Sequence, residues 1–140
     1  MAIDRSAITS KVLSGTGTPA IDFTSPMTPG YSKSLKGNDV LKYNKAKAKE
    51  LWAKADAISK FSGKLTFSYN ADGGHESIYK AIVNYINNTL GSEVDATKPM
   101  PTSNAFRAAV TNRQKDGDLR TGGQPDYPSA DNYTTQLSDS

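Results

Sequence analysis

The second half of the chain alternates between strand and helix patterns, and this alternation constrains the fold more than any other feature. Residues 65–69 alternate in polarity and are rich in β-forming side chains, which predicts a strand. Residues 78–90 carry apolar side chains at helical spacing, and residues 103–112 repeat that pattern after a capping threonine or serine. A short strand pattern follows each helix, at 93–97 and at 118–121. Strands and helices that alternate through short connections predict an α/β fold with a parallel or mixed sheet and right-handed crossovers.

The first part of the chain combines a helix with a long irregular segment. Ile3 to Leu13 carries apolar side chains at helical spacing, with Asp4 in the first turn, which predicts a helix. Residues 14–38 have no periodicity and are rich in glycine and proline, which predicts a loop of unusual length for a compact domain. Its spaced apolar side chains are Ile21, Phe23, Met27 and Tyr31. We therefore expect the loop to lie along a surface, which need not belong to this chain.

A lysine-rich helix is predicted at residues 45–58, where Asn44 is a suitable N-cap. The side chains of its apolar face are Ala48, Leu51, Trp52, Ala55 and Ile58. Lysines occupy the opposite side, which we interpret as a solvated helix face. A tryptophan can stack on a nucleic-acid base, but the position of Trp52 on the apolar stripe predicts that it lies in the core.

The composition argues against several kinds of chemistry. The chain has 140 residues, enough for one domain, but only 36% of them are hydrophobic, which is low for a self-contained globule. It contains no cysteine, so disulfides and thiolate chemistry are excluded. The single histidine, His75, lies in a turn before a helix, and Asp72 in the same turn lacks the acidic neighbours of a calcium loop. We therefore expect no enzymatic activity, no metal and no cofactor.

The tail contains the best candidate binding residues. Arg120 lies late in the predicted strand, and Asp126 follows a turn rich in glycine and proline. Ligands of open α/β sheets bind beyond the carboxyl ends of strands. This arrangement therefore suits an amine, a carboxylate, or a molecule that carries both. The alternative is a structural salt bridge between Arg120 and Asp126.

Four stretches of sequence, in order, resemble motifs of one protein family. Residues 1–8 resemble the family's Ala-Ile-Asp-Arg-x-x-Ile helix, and residues 17–31 match the proline-rich loop that follows it. Residues 43–51 are similar to Tyr-Asp-Pro-x-Lys-Ala-Lys-x-Leu, and residues 122–128 to a closing Gly-Trp-x-x-Asp-Tyr motif. The family is that of the peptide-binding proteins of bacterial ABC importers, the dipeptide/oligopeptide (nickel-type, family 5) solute-binding proteins.

This resemblance implies a fold, a location and a partner. The fold is α/β, part of the second lobe of a two-lobed periplasmic-binding-protein-like structure, with a mixed sheet and flanking helices. Peptide is enclosed between the lobes and delivered to an ABC permease in the membrane. Family members are several times longer, so we expect this chain to be a fragment. The resemblance places the parent protein outside the cytoplasm, in the periplasm or as a lipoprotein on the surface of Gram-positive bacteria, with an export signal upstream of this fragment.

The resemblance also assigns roles to residues of the tail. Asp126 matches an aspartate that pairs with the peptide's α-ammonium, and Arg120 matches an arginine that meets the peptide's carboxylate in some members. The backbone around Gln124 and Pro125 would pair with an extended peptide like an added strand. Gly123 departs from the family pattern, because a tryptophan that helps to wall the pocket often stands there. Its absence widens the pocket or lets a neighbouring segment fill the space, and it leaves room for a non-peptide ligand.

The resemblance divides residues 1–140 into three parts of one fragment. Residues 1–43 form a helix plus a loop rich in proline and glycine, and residues 44–122 form a helix followed by the β-α-β-α-β unit. Residues 123–140 form the ligand-site turn and a crossover towards the first lobe. Three strands leave open sheet edges, so we expect the fragment to self-associate through an edge or through the 15–38 loop.

Two alternative functions remain open from the sequence. The first is a binding protein of the same fold for a sugar or a metal chelate. The second is a small basic nucleic-acid-associated protein that uses the lysines between residues 42 and 64, and its binding would depend steeply on salt. Peptide, rather than nucleic acid, is the expected partner.

Overall fold

The computed structural model describes residues 1–91, 94–112, 119–120 and 129. In chain order the elements are helix α1 (Arg5–Ala7), a π-helical segment (Ile8–Val12), a 3₁₀ turn (Asn38–Leu41), helix α2 (Lys45–Ile58), strand β1 (Leu65–Asn70), a 3₁₀ turn (Ala71–Gly73), helix α3 (Glu76–Leu90), strand β2 (Val94–Met100), helix α4 (Ser103–Thr111) and strand β3 (Leu119–Arg120). The predicted α/β class is confirmed, with the expected alternation from β1 to β3.

The three described strands form one parallel sheet in the order β2-β1-β3. Leu65 of β1 is paired with Val94 of β2, and Ser68 of β1 is paired with Arg120 of β3. The chain therefore moves from β1 to one side of the sheet and then crosses to the other side. Since parallel crossovers are almost always right-handed, this change of direction implies that α3 and α4 cover opposite faces of the sheet.

The core lies between β1 and α3. Phe67 and Tyr69 of β1 are buried against Val83 and Ile86 of α3. The ring of Tyr79 packs at 4.6 Å from that of Tyr69, centroid to centroid. Further hydrophobic side chains surround this cluster in partly buried positions, namely Ile3, Leu65, Ile82, Leu90 and Leu119. A hydrophobic side chain that is fully buried stabilises the fold by about 1.5–3 kcal/mol, and the partly buried ones contribute less.

The ends of the longer helices follow local capping rules. The Asn44 side chain accepts a hydrogen bond from the Lys47 backbone N–H at 2.9 Å, and α2 begins after it as predicted. Thr102 caps α4 in the same way, through the backbone N–H of Ala105 at 3.1 Å. Gly91, with φ of +89°, ends α3 in the left-handed conformation that glycine adopts without strain.

The first helix differs from its prediction in both start and type. It begins at Arg5 instead of Ile3, because the Asp4 side chain caps it by accepting from the Ala7 backbone N–H at 2.9 Å. After one turn it continues as a π-helix, where the Leu13 N–H bonds to the Ile8 carbonyl at 3.1 Å. Ile3 is thereby released from the helix and packs against the core. Apolar spacing does not distinguish these two helix types over so few residues.

Helix α2 has the predicted bounds but not the predicted burial. Ala48 is buried, whereas Leu51 is 46% exposed and Ile58 is 89% exposed. Trp52 is only half-buried, and its ring packs edge-on against Phe61 with centroids 5.8 Å apart. The prediction of an inward-facing apolar stripe is therefore wrong for most of α2, because no described element covers that side.

Replacing Ile86 by alanine is expected to lower the free energy of unfolding by about 2–5 kcal/mol, since it leaves a cavity between α3 and β1. The matched control is Ile58→Ala, which removes the same atoms from an exposed side chain. Such surface substitutions change stability by about 0.5 kcal/mol or less. Urea unfolding followed by circular dichroism measures both variants. Equal losses would contradict the assignment of the core.

Candidate functional site

The carboxyl ends of the three parallel strands meet at one edge of the sheet, at Asn70, Met100 and Arg120. The connection after β1 leads to β2 on one side of it, and the connection after β2 leads back to β3 on the other side. The direction of the chain across the sheet therefore reverses, which makes the space between β1 and β3 the switch point. In open α/β sheets this switch point is where ligands bind. The topology therefore places the candidate site beside Asn70 and beyond Arg120.

The residues predicted for the site are placed only in part. Arg120 ends β3, within the strand predicted at 118–121, and is paired with Ser68 at the switch point. Gly123, Gln124, Pro125 and Asp126 lie outside the described residues. Their roles, and the alternative salt bridge between Arg120 and Asp126, stay predictions.

A polar cluster that the sequence did not reveal lies at the carboxyl end of β1. The Asp72 carboxylate accepts from the Asn70 side-chain amide at 2.7 Å and from the Ser103 hydroxyl at 3.0 Å. Its second oxygen accepts from the Ser103 backbone N–H at 2.9 Å. The hydrogen bond from Asn70, and then the one from the Ser103 backbone, lower the pKa of Asp72 below its ordinary value of 3.8. This cluster joins the end of β1 to the first turn of α4.

Gly73 allows this cluster to close. A Cβ atom at that position would lie 2.7 Å from the Asn70 side-chain nitrogen, which is closer than such atoms approach. Any larger residue would displace the amide that binds Asp72. Gly74 then takes a left-handed conformation, φ +69°, and leads through His75 into α3. Close packing therefore explains why this turn contains glycine beside Asp72, and no metal-binding role is needed to explain it.

The hydroxyl of Ser68 is a second polar feature at the switch point. Ser68 is fully buried, and its Oγ makes no hydrogen bond to any described residue. It lies on β1 directly beside Arg120 of β3 in the sheet register. Buried hydroxyl groups normally have a partner, so this one marks a place where a further polar group is expected.

A metal site and a membrane-spanning helix each place requirements on the described residues. Among them, no group of three or more histidine, cysteine, aspartate or glutamate side chains could hold a metal ion. Within the same part of the chain, no helix has the length and apolar character needed to cross a membrane. The arrangement at the strand ends instead offers fixed hydrogen-bonding groups, which suit ligand binding.

The lysines of α2 are partly neutralised within the helix. Lys47 and Lys54 both bind the Glu50 carboxylate, at 2.9 and 2.8 Å. These hydrogen bonds, that of Lys54 first, lower the pKa of Glu50 to about 2, so Glu50 is ionised at neutral pH. Such internal pairing agrees with a solvated helix face and weakens the case for a nucleic-acid surface.

Comparisons with known proteins agree with this topology. Residues 1–140 match the family described as bacterial extracellular solute-binding proteins, family 5 Middle. The structure of the Escherichia coli murein tripeptide binding protein MppA aligns with a TM-score of 0.77 and 25% identity, covering 98% of this chain and 27% of that chain. An unliganded open form of MppA, named there as a periplasmic murein tripeptide binding protein, aligns with a TM-score of 0.70 and 26% identity, covering 98% of this chain and 26% of that chain. The chain thus spans about a quarter of the length of these structures. No curated protein sequence matches it.

Replacing Asp72 by asparagine is expected to lower the urea midpoint of unfolding at pH 7, because a donor amide group would then face the donors of Asn70 and Ser103. The folded pKa of Asp72 is depressed, so its stabilisation is fully present above its ordinary value of 3.8 and is lost as the pH falls through the folded pKa. The difference in urea midpoint between the wild type and the variant should therefore become smaller below pH 3.8.

Asp39→Asn is the control for this variant, since the Asp39 carboxylate is exposed and pairs only with Lys42 among the described residues. Exposed pairs of this kind contribute little to stability. An Asp72→Asn midpoint that matches the control at every pH would show that the cluster does not hold α4 in place.

Proposed function

The chain belongs to the bacterial extracellular solute-binding proteins of family 5, and on that basis we propose that it is part of the peptide-binding component of an ABC importer. Its homologues are solute-binding proteins rather than enzymes. The family is extracytoplasmic, which supports a site of action in the periplasm or, as a lipoprotein, at the cell surface. In this proposal the peptide lies between two lobes, and this chain supplies the later part of the second lobe.

The observation that carries the proposal is the strand order β2-β1-β3 with its switch point beside Arg120. A ligand at that point would contact the segment that follows β3 in the chain. That segment contains Asp126, the residue that resembles the family's ammonium-binding aspartate. Both structural neighbours are named as murein tripeptide binding proteins, which favours a short peptide as the ligand class.

Each proposed site residue has a physical role. Asp126 pairs with the α-ammonium of the peptide, because an enclosed carboxylate is unfavourable without a cationic partner. Arg120 meets the peptide carboxylate, for which the guanidinium group is suited by its paired donors. Main-chain groups at Gln124 and Pro125 hydrogen-bond to the peptide backbone, which gives affinity without reading side chains. In this proposal Gly123 either widens the pocket, relative to a tryptophan, or lets a neighbouring segment fill it.

The mechanism that follows is closure of two lobes around the ligand. We assign the ligand-site turn and the crossover towards the first lobe to residues 123–140 as part of this proposal, with residues 1–43 and 44–122 as their support. Peptide contacts with both lobes favour the closed form, since a ligand shifts a conformational equilibrium by its difference in affinity for the two states. An ABC permease then receives the peptide from the closed receptor.

The glycine at position 123, where the family often has tryptophan, leaves room for one second candidate, a sugar or metal-chelate receptor of the same fold. The nucleic-acid alternative loses support from the pairing of α2 lysines with Glu50. A steep salt dependence of nucleic-acid binding would be its signature.

The test is calorimetric titration of a receptor of full family length that carries this sequence. A free tripeptide is expected to bind, and the same peptide with an acetylated amine is expected not to bind. Replacing Asp126 by asparagine should weaken binding by at least about 30-fold, because truncating one partner of an enclosed charge pair costs about 2–5 kcal/mol.

Asp39→Asn is the matched control, because it removes a carboxylate that is exposed and far along the chain from β3. Equal binding of the free and acetylated peptides would contradict the role of Asp126. If neither peptide binds, while a sugar or a metal chelate does, the second candidate replaces the first.

A further inference from the structure

The long loop after the first helix is held at both ends by one side chain. The Arg5 guanidinium donates hydrogen bonds to the carbonyl of Ala20, in the first part of the loop, and to that of Leu41, at 3.0 Å, in the 3₁₀ turn that follows the loop. The Met1 carbonyl also accepts from the Asn44 backbone N–H at 3.0 Å. The loop is therefore closed against residues 1–5, although most of it has no regular secondary structure.

Two polar side chains fix the interior of the same loop. The Asp22 carboxylate accepts from the backbone N–H groups of Thr24, at 3.1 Å, and Ser32, at 3.0 Å. These bonds, that from Ser32 first, hold the pKa of Asp22 below its ordinary value. The Asn38 amide donates to the Ile21 carbonyl at 2.8 Å. The loop thus has a defined shape that does not depend on a hydrophobic core beneath it.

The loop and Arg5 together line a cavity of about 270 Å³ that is open to solvent. Its apolar lining consists of Ala20, Ile21, Phe23, Leu35 and Leu41. The polar side chains that also line it already bind loop backbone through the contacts described above. A cavity with an apolar lining and engaged polar groups suits a nonpolar side chain rather than a polar ligand.

Exposed apolar side chains lie on the loop and on the turn that follows it, and two of them, Phe23 and Leu35, also line the cavity. Met27 is 92% exposed and Phe23 is 72% exposed, and Leu35 and Val40 are exposed as well. We name these four residues the loop face. Apolar side chains that are this exposed and held on a fixed backbone are typical of an interaction surface.

The loop face also carries unbalanced positive charge. Lys33 and Lys36 lie on either side of Leu35 in the sequence and are exposed. Neither forms an ion pair with a described residue, whereas Lys42 in the same region pairs with Asp39 at 2.6 Å. A partner that covers Leu35 would therefore gain from carboxylates placed near these lysines.

We propose that the loop face docks a polypeptide segment of the same receptor, one that inserts a nonpolar side chain into the cavity and places carboxylates near Lys33 and Lys36. This inference rests on the proposed two-lobed receptor. The matched neighbour supports this occupant, because almost all of this chain aligns with it while most of its length lies outside the aligned part. Both the apolar lining and the charge of the loop face fit an acidic and apolar segment from that remainder.

Methionine oxidation by hydrogen peroxide tests the docking. In the 140-residue chain, Met27 is expected to oxidise at a rate close to that of free methionine, because its side chain is open to solvent. In a receptor of full family length that carries this sequence, Met27 should oxidise several-fold more slowly. Equal rates in the two proteins would overturn the proposal. Protection in the short chain that grows with its concentration would also overturn it, in favour of a second copy of the chain.

A charge reversal tests the same contact within the full-length receptor alone. Lys33→Glu combined with Lys36→Glu should restore fast oxidation of Met27, because the carboxylates of the docked segment would then be repelled. The matched control is Lys60→Glu combined with Lys64→Glu, which makes the same charge change on exposed lysines that follow α2. Slow oxidation of Met27 in both double variants would count against the proposed chemistry of the segment.

A single substitution separates docking from folding. Phe23→Ser should lower the thermal midpoint of the full-length receptor but leave that of the 140-residue chain unchanged, since nothing described covers Phe23 in the short chain. An unchanged thermal midpoint in both proteins, or an equal decrease in both, would contradict docking at this face. These readouts need no peptide, so a receptor that protects Met27 but binds no peptide would refute the ligand assignment and leave the docking surface standing.

Discussion

The contact between β1 and α3 is the interaction on which the rest of the structure depends. Phe67 and Tyr69 are buried against Val83 and Ile86, and partly buried side chains of β1 and α3, together with Ile3 and Leu119, pack around them. Because β1 is the central strand, both β2 and β3 pair in parallel with it. The carboxyl ends of all three strands therefore reach the same edge of the sheet, so the strand that carries the core is also the one beside which polar groups converge.

Carboxylates that bind backbone N–H groups stabilise several irregular regions of the described structure, two of which matter most for the proposed surfaces. Asp72 holds the first turn of α4 through Ser103, and Asp22 holds the loop through Thr24 and Ser32. Hydrogen bonds to a charged acceptor are stronger than neutral ones, and each carboxylate oxygen can serve a different donor. One short side chain can therefore fix a turn that lacks periodic hydrogen bonds. The exposed lysine–glutamate pairs on α2 are weaker determinants, since solvent screens them.

Local signals account for the parts of the fold that the sequence predicted. Asn44 and Thr102 cap their helices through neighbours three residues away, and Gly91 ends α3 by its own conformation. The unpredicted contacts join residues that are distant in sequence. Asp72 meets Ser103 across 31 positions and Arg5 meets Leu41 across 36 positions, which no periodicity encodes. The tail residues that carry the proposed ligand contacts were found through family motifs, because spacing alone left a salt bridge equally open.

The misassigned face of α2 shows what an apolar pattern does and does not encode. Regular spacing places Leu51 and Ile58 on one side of the helix, yet both are exposed, as are Phe23 and Met27 on the loop. Apolar surface left in water is unfavourable by about 25 cal/mol per Å². A stripe of such residues therefore indicates that the surface is suited to burial, but the element that buries it need not lie in the same segment.

The carboxyl edge of the sheet, by contrast, presents Asn70, Asp72 and Ser103. The fold thus separates its surfaces by chemistry, with polar groups at the strand ends, where a ligand is expected, and apolar groups on the loop and α2, where further polypeptide is expected.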